Sequence, residues 1–449
     1  MRKFYIVFFI INIFLSYFYV DIWTTNSNTA SRALPIISFF ENGTLQIDKY
    51  HEPINDKAHI NGHYYTDKAP LPTFIVLPFF GLLKAVGLVK EVDGSLFGTE
   101  VFMLGSFITG SLPFVLFMLL AFFAIAKKEP SVSPVFLVMM PFYGSFIFVF
   151  AGTYFAHIMS AFLLLVAYLF LKDKKYILAG LFSGLAFLSE YTIALVFPIW
   201  ALQVWIKEKS FYKGFLFGLG TMPSIIFILI YNYIFTGSPF EMLYKYHTFQ
   251  DLHTNYGFNL PSPESIWGLT FSDYKGLFFY TPFLFLAFAG ISKKYNFKAF
   301  AGHYLFYVSI VYFLVVAAYF GWWGGWTYGP RLLFPVAVLL VYEGIVKIAD
   351  YRFSAAFFWV LTIFGLAGAF LAKITVVYSV PTDSLHPFSQ TIFPAIKAGS
   401  FNPNNLATII FGINPALAAI IWIVGFAAGI FLLNSLYQRI VHQNQAGDI

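Results

Sequence analysis

Long apolar runs separated by short polar segments follow one another along almost the whole chain. Most approach the roughly 20 residues that an α-helix needs to cross the hydrocarbon layer of a membrane. They cover residues 4–20, 101–126, 133–150, 154–171, 176–189, 191–206, 215–235, 275–292, 301–320, 331–347, 354–372 and 411–434. The pattern predicts an all-α polytopic membrane protein with about twelve transmembrane helices.

Composition supports this prediction and excludes several classes of protein. Of the 449 residues, 59% are hydrophobic and only 11% are charged, whereas soluble domains carry roughly 25% charged residues. A water-soluble globular enzyme is therefore excluded. The chain has no cysteine, which excludes disulfides and thiolate chemistry. The net charge of +6 indicates no nucleic-acid partner, because the basic residues form short clusters between apolar runs.

These basic clusters also predict the orientation of the chain. Positive residues stay on the cytoplasmic side, and they follow alternate apolar runs, beginning with Arg2 and Lys3. We therefore expect an uncleaved first helix, both termini in the cytoplasm, and outer loops at 21–100, 236–274, 321–330 and 373–410. A further apolar stretch at 72–89 contains Lys84 and two prolines. We expect it to lie at the outer face, since a thirteenth span would place most basic residues outside.

The first outer loop is the segment richest in polar chemistry. Apolar residues from Ala30 to Phe40 recur at helical spacing around Arg32, which predicts a helix lying flat on the membrane and ending at Asn42-Gly43. The ionisable residues that follow are Asp48, Asp56, Asp67 and Lys68, with His51, His59 and His63 between them. Carboxylates of this kind act as general bases, and cations neutralise a phosphate leaving group.

Two stretches of this loop resemble a known family. They read SRALPIISFFENGTLQID from Ser31 and NGHYYTDKAPLPTFIVLP from Asn61, and they are similar to the first outer loop of GT-C glycosyltransferases. The branch they resemble most contains protein O-mannosyltransferases and lipid A aminoarabinose transferases. The resemblance implies a GT-C-like helical bundle with juxtamembrane helices, a catalytic core over 1–300, and further transmembrane helices over 301–449.

The same resemblance implies an activity and some of its residues. Such enzymes move a sugar from a polyprenyl-phosphate carrier to an acceptor outside the membrane. Lys68, in the motif Asp67-Lys68-Ala69-Pro70, matches the family lysine near the carrier phosphate, and Arg32 matches the arginine of the flat helix. The acid that usually precedes this arginine is missing, because Asn26-Ser27-Asn28 stands there. The predicted catalytic base is then Asp48, with Asp67 and Asp21 as alternatives.

Other candidates follow from their predicted depth. Glu190 is the tip of a tight hairpin, next to Tyr191, and His157 begins a neighbouring span. A carboxylate at this depth needs a polar cavity or a partner, so Glu190 either lines the site or forms a structural pair. Arg331 ends the run GWWGGWTYGPR, where a guanidinium either binds phosphate in a bidentate manner or reaches back to the membrane surface.

Aromatic side chains complete the predicted site. Tyr246, in the loop 236–274, and Trp326 either stack on a sugar ring or belong to the aromatic belt of the membrane. The predicted substrate-binding residues are Arg32, His63, Lys68, His157, Glu190, Tyr191, Tyr246, Trp326 and Arg331. No cofactor motif is present, although the histidines and acids of the first loop are of the kind that binds a divalent metal.

The sequence thus predicts an integral multi-pass glycosyltransferase of a bacterial inner membrane. Its expected partners are a polyprenyl-phosphate-linked sugar donor, membrane lipids, and a lipid, polysaccharide or protein acceptor. Two alternatives stay open: a flippase or transporter for lipid-linked glycans, and a catalytically silent relative that binds a lipid-linked sugar. The missing acid before Arg32 is the feature that keeps the second alternative open.

Overall fold

The computed structural model describes residues 1–24, 26–91, 95–248, 257–294 and 303–447, and this part of the chain is mostly helical. Its α-helices are Arg2–Tyr17, Ser27–Asn42, Leu71–Ala85, Thr99–Gly105, Leu112–Ile125, Pro134–Tyr143, Phe146–Phe150, His157–Lys172, Tyr176–Ser189, Val196–Glu208, Phe211–Thr236, Pro263–Thr270, Leu277–Tyr280, Phe283–Lys294, Tyr304–Ala318, Phe334–Ile348, Ala355–Ile374, Phe393–Lys397, Leu406–Phe411 and Pro415–Gly447. Shorter 3₁₀ segments are Tyr191–Leu195, Leu243–Tyr246 and Arg331–Leu333, and π-helical segments are Ser106–Ser111 and Phe388–Ile392. One hairpin pairs the antiparallel strands Ala58–Ile60 and His63–Tyr65.

Several of these helices are suited to a membrane by their length and composition. Within the described residues, the four helices that reach the length and hydropathy of a span are Thr99–Ile125, Phe211–Thr236, Ala355–Ile374 and Pro415–Gln443. Five shorter apolar helices accompany them. The predicted class of a helical membrane protein is therefore confirmed, while the number of twelve spans and the orientation stay predictions.

The helices share one large hydrophobic core that runs from Phe4 to Tyr437. Trp422 of the last helix stacks on Phe148 with ring centroids 5.2 Å apart. Its indole nitrogen donates a hydrogen bond to the carbonyl of Leu15 at 2.9 Å. The core therefore contains residues from before and after position 300. The predicted domain boundary at that position lies outside the described residues.

Glycines allow the helices Tyr176–Ser189 and Phe211–Thr236 to approach each other closely. A Cβ atom built on Gly180 would lie 2.0 Å from the carbonyl oxygen of Phe217, and one on Gly220 would lie 2.1 Å from that of Ile177. Neither distance is sterically possible, so hydrogen is the only side chain that fits. Small residues at helix contacts are typical of membrane proteins, where close backbone packing supplies much of the association energy.

This contact predicts the effect of a single methyl group. Gly220→Ala should lower the melting temperature of the detergent-solubilised protein, because the helices must separate at a cost of about 1–3 kcal/mol. Gly218→Ala is the matched control on the same helix, since a Cβ added there would meet no atom within 4 Å. Alanine also favours helix formation, so the control should melt at or above the wild-type temperature. Equal losses in both variants would contradict the described contact.

Residues 26–91 fold into a compact layer of their own. The helix Ser27–Asn42 begins at Asn26, whose side chain accepts hydrogen bonds from two backbone N–H groups, and ends at Gly43 with a φ of 67°. This confirms the helix and turn predicted around 30–43. A second small core, which includes Leu34, Ile37 and Phe80, fixes this helix against Leu71–Ala85. The layer holds Arg32 in a fixed position, with only 3% of its surface exposed.

Candidate active site

Ionisable side chains from distant parts of the chain come together where the layer formed by residues 26–91 meets the ends of several helices. We call this group the charged cluster. Its members are Arg32, Asp56, Asp67, Lys68, His157, Glu190, His247 and Arg331. Three lysine or arginine side chains thus face three carboxylates, and two histidines lie among them. The cluster combines the predicted residues Arg32, Asp67, Lys68, His157, Glu190 and Arg331 in one place.

Lys68 forms ion pairs with two of the carboxylates. Its Nζ lies 2.8 Å from Oδ2 of Asp56 and 2.8 Å from Oδ2 of Asp67. The side chain of Asp67 is fully buried, whereas 27% of the Asp56 side chain is exposed. Asp67 also accepts a hydrogen bond from Ser31 at 3.2 Å. Asp67 therefore holds Lys68 from the buried side. Of the two carboxylates, Asp56 is the one that an incoming molecule reaches.

The second pair of the cluster joins the ends of two helices. Oε2 of Glu190 lies 2.8 Å from Nδ1 of His157. Burial raises the pKa of Glu190, but the neighbouring His157, Arg32 and Arg331 outweigh this effect and hold it at about 2. The partner that a carboxylate at this depth requires is therefore a histidine. Tyr191 lies beside the pair, and its hydroxyl is 3.4 Å from the carbonyl oxygen of Lys68.

Arg331 enters the cluster from the glycine-rich loop. Gly324, Gly325 and Gly329 have φ values between 69° and 75°, a region that L side chains rarely adopt. The turns they form place the arginine side chain against Gly324, where an added Cβ would lie 3.1 Å from its Cγ. The guanidinium carbon lies 5.5 Å from the ring centroid of Phe155. Glycine is thus required for the position of this cation.

Both arginines keep a buried donor for which the described residues offer no acceptor. Nη1 of Arg32 donates to the backbone carbonyl of Asn28 at 2.6 Å, but its Nε has no partner among the described residues. The same is true of Nε of Arg331. A buried donor without an acceptor is costly. An anion that contacted either guanidinium group would supply a missing acceptor.

The pKa of Asp56 reflects the charges that surround it in the cluster. Burial raises the pKa of this carboxyl, but Lys68, and after it Arg331 and His247, lower it to about 2. Asp56 is therefore ionised at neutral pH. Any negative group that binds Lys68 and Arg331 would offset their positive charge and raise the pKa of Asp56 again.

Several predicted site residues make their contacts away from the cluster. Asp48 lies 2.7 Å from Nδ1 of His63 and accepts a hydrogen bond from the backbone N–H of Tyr64 at 2.6 Å. These contacts stabilise the exposed hairpin. The hydroxyl of Tyr246 donates to Glu241. Trp326 is 61% exposed. The structure therefore does not join Asp48, His63, Tyr246 and Trp326 to the charged cluster.

Asp21, another predicted base, belongs to a separate buried group. It accepts hydrogen bonds from the hydroxyl of Tyr378 at 2.9 Å and from the backbone N–H of Trp23 at 3.1 Å. Burial raises its pKa to about 6, although these two hydrogen bonds and the charge of Lys373 oppose the effect. The contacts of Asp21 are those of a structural residue at the end of the first helix.

The raised pKa predicts how stability depends on pH. Because the fold favours protonated Asp21, this contribution is complete below the ordinary value of 3.8 and is lost as pH rises through about 6. Asp21→Asn imitates the protonated form and removes this dependence. The melting temperature of the wild type should therefore fall, relative to that of the variant, between pH 4.5 and pH 7. A constant difference across this range would contradict the prediction.

Three residues near the site were not selected from the sequence. Asp56 is one acid among several in a polar loop, and no local signal distinguishes it from Asp48. His247 approaches Asp67 at 3.6 Å because its backbone bridges to Ala58 of the hairpin. Lys275 is fully buried, and its Nζ donates to the carbonyl of Thr327 in the glycine-rich loop. The signal available in the sequence was a lysine at the first position of the predicted apolar run 275–292.

Metal binding was an open alternative for the histidines and acids of the first loop. In the part of the chain that the structure describes, no three histidine or acidic side chains are grouped so that they could hold a metal ion. The histidines that contact carboxylates do so in separate pairs. The described contacts of the charged cluster are ion pairs and hydrogen bonds.

Comparisons with known proteins return structures but no sequence family. No family model and no curated protein matches the chain. Two solved structures are similar to it, both GT-C fold glycosyltransferases. One is ArnT from Cupriavidus metallidurans in the apo state, with 13% identity, a TM-score of 0.46, and coverage of 96% of this chain and 76% of that chain.

The other is the archaeal oligosaccharyltransferase AglB from Archaeoglobus fulgidus, in complex with an inhibitory peptide and a dolichol-phosphate. It has 12% identity and a TM-score of 0.40, and the match covers 97% of this chain. The chain spans 55% of the length of AglB.

Proposed function

We propose that this chain is an integral membrane glycosyltransferase that moves a sugar from a polyprenyl-phosphate carrier to an acceptor at the outer face of the membrane. The observation that carries the proposal is the pair of buried guanidinium Nε groups of Arg32 and Arg331, without acceptors among the described residues. They belong to the same charged cluster as Lys68 and the accessible carboxylate of Asp56. An anion-binding group next to a base is what this transfer requires.

The cations of the cluster would bind the carrier phosphate and stabilise it as it leaves. In the reaction, the acceptor oxygen forms a bond to the anomeric carbon of the sugar while the bond from that carbon to the phosphate oxygen breaks. The phosphate keeps the electron pair, so negative charge grows on its oxygens. Lys68 and Arg331 stabilise this negative charge. Cations held in place where water is excluded stabilise a transition state more strongly than cations in water.

Asp56 is the residue that we assign as the general base. It is the most exposed carboxylate in contact with Lys68. At a pKa of about 2 it is a weak base, but a bound phosphate would offset the charge of Lys68 and Arg331 and raise that pKa. Binding of the donor would thus activate the base. Asp67, which is fully buried, keeps Lys68 in position.

A single displacement of this kind inverts the configuration at the anomeric carbon. The acceptor hydroxyl approaches from the side opposite to the phosphate and loses its proton to Asp56. Glu190, a member of the cluster, and the adjacent Tyr191 would hold the sugar ring. The outer face, the bacterial inner membrane and the cytoplasmic position of both termini are part of the proposal, as are a lipid, polysaccharide or protein acceptor and the absence of nucleic acid.

A transfer assay tests the proposal against its two alternatives. The purified protein in lipid nanodiscs is given radiolabelled polyprenyl-phosphate hexose and an outer-envelope extract, with Lys68→Ala as the inactive comparison. We expect radiolabel in the acceptor fraction with the wild type and its loss with the variant. Tight donor binding without transfer would favour a silent relative. Movement of the intact donor between leaflets of proteoliposomes, without transfer, would favour a flippase.

A further inference from the structure

A second charged site lies at the other ends of the helices that form the active site. The helix His157–Lys172 begins in the charged cluster and ends at Lys172, and Phe334–Ile348, which follows Arg331, carries Lys347 in its last turn. At 1.5 Å per residue the two ends of such helices are separated by about 20 Å. This second site is therefore distinct from the active site.

A cavity of about 270 Å³ opens between these helix ends. It is lined by Tyr168, Leu171, Lys172, Lys174, Lys207, Glu208, His303, Tyr304 and Lys347. We call it the lysine cavity. Ligand pockets for drug-sized molecules begin at roughly 300 Å³, so this cavity suits one small charged group better than a nucleotide.

A buried carboxylate, Glu343, lies behind the lining of the lysine cavity and contacts several of the lining residues. The side chain of Glu343 is only 2% exposed. It accepts a hydrogen bond from the hydroxyl of Tyr168 at 2.8 Å, and it lies 3.3 Å from Nζ of Lys172 and 3.1 Å from Nζ of Lys347. His303 approaches it at 3.4 Å. One negative charge therefore pairs with two of the lysines that line the cavity.

The rim of the lysine cavity has the same imbalance of charge. Glu208 binds Lys174 at 3.3 Å and Lys213 at 2.7 Å. Nζ of Lys207 lies 4.4 Å from the ring centroid of Tyr304. Four lysines line the cavity, against one carboxylate in the lining, Glu208, and one behind it, Glu343. An excess of positive charge in a partly enclosed space attracts an anion.

The surface beside the cavity is apolar. Trp205 and Ile206, which precede Lys207, are 46% and 65% exposed, and Ile177 and Leu178, which follow the lysines of the 172–175 segment, are exposed as well. Exposed apolar side chains next to clustered lysines are the surroundings that a phospholipid needs. Its acyl chains pack on the apolar surface while its phosphate binds the lysines.

We propose that the lysine cavity binds the phosphate group of an anionic phospholipid in the leaflet opposite the active site. The lysines belong to three different helices or their ends, so one phosphate would join Lys172, Lys207 and Lys347. Since two of these helices also begin at the charged cluster, the lipid would stabilise the framework of the active site. The same chemistry would accept a free phosphate ion, and the experiment distinguishes these two sources.

Thermal unfolding in defined lipid tests the proposal. The protein in mixed micelles receives phosphatidylglycerol, phosphatidylcholine, or inorganic phosphate, and its melting temperature is recorded. The test variants are Lys207→Gln and the double variant Lys174→Gln with Lys207→Gln. The control is Lys175→Gln, an exposed neighbour that pairs with Asp173 at 3.7 Å and does not line the cavity.

We expect phosphatidylglycerol to raise the melting temperature of the wild type and of the control by several degrees over phosphatidylcholine. This shift should shrink in Lys207→Gln and shrink further in the double variant, which loses two of the four lining lysines. The double variant should melt normally in phosphatidylcholine and so report an intact fold. The same pattern with inorganic phosphate alone would support the site and assign it to a soluble anion. An undiminished shift in the double variant, or no shift in the wild type with either anion, would overturn the proposal.

Discussion

Asp56→Asn should lower the rate of sugar transfer by at least about 100-fold, which is the usual contribution of a general base. The amide has the same shape as the carboxyl but accepts no proton from the acceptor hydroxyl. Lys68 keeps its second partner, Asp67, at 2.8 Å, so the fold and the donor affinity should change little. The measurement is the single-turnover rate with saturating radiolabelled polyprenyl-phosphate hexose.

Asp48→Asn is the matched control for this prediction. Asp48 lies in the same loop, but its partners are His63 and the backbone of Tyr64 on the exposed hairpin. Its substitution should leave the transfer rate within about threefold of the wild type, since exposed ion pairs contribute little. The opposite ranking, with Asp48→Asn inactive and Asp56→Asn active, would show that the base was assigned wrongly.

Arg331→Gln should weaken donor binding by roughly 10- to 100-fold, because it removes a buried hydrogen bond to a charged group worth about 1.5–3 kcal/mol. We expect the loss in the Kd for polyprenyl phosphate itself, measured by isothermal titration in detergent, as well as in the transfer rate. Arg331→Lys should recover only part of the affinity, since an ammonium group does not reproduce the planar fork of guanidinium.

Arg352→Gln controls for the loss of one positive charge. Arg352 is exposed and lies after the helix Phe334–Ile348, at the end opposite Arg331. Its substitution should leave the Kd for polyprenyl phosphate unchanged. Equal losses in Arg331→Gln and Arg352→Gln would mean that only the overall charge of the protein attracts the donor, and would contradict a specific site.

Much of the fold was predictable because membrane helices depend on local composition. The apolar run 176–189 coincides with the helix Tyr176–Ser189, and the helix predicted at 30–40 is the core of Ser27–Asn42. The predicted helix boundaries were wrong where a helix is interrupted inside an apolar run. The run 133–150 is divided at Gly144 into two helices, and hydropathy does not register a break between apolar residues.

Six of the eight residues in the charged cluster were predicted one by one, but their arrangement was not. Glu190 and Arg331 are ionisable groups next to predicted spans, so their predicted depth selected them. Lys68 was selected by its match to the motif of the GT-C family. The choice between Asp48 and Asp56 depends on how the hairpin Ala58–Tyr65 folds back over the loop. That fold directs Asp48 to the exposed side and Asp56 to Lys68, and no local pattern in the sequence encodes this difference.

A cryo-electron microscopy structure of the protein with polyprenyl phosphate tests the central claim most directly. We expect density for the phosphate within hydrogen-bonding distance of Lys68 and of both Arg32 and Arg331, with Asp56 released from Lys68. Phosphate density elsewhere, with the ion pairs of the charged cluster intact, would contradict the account.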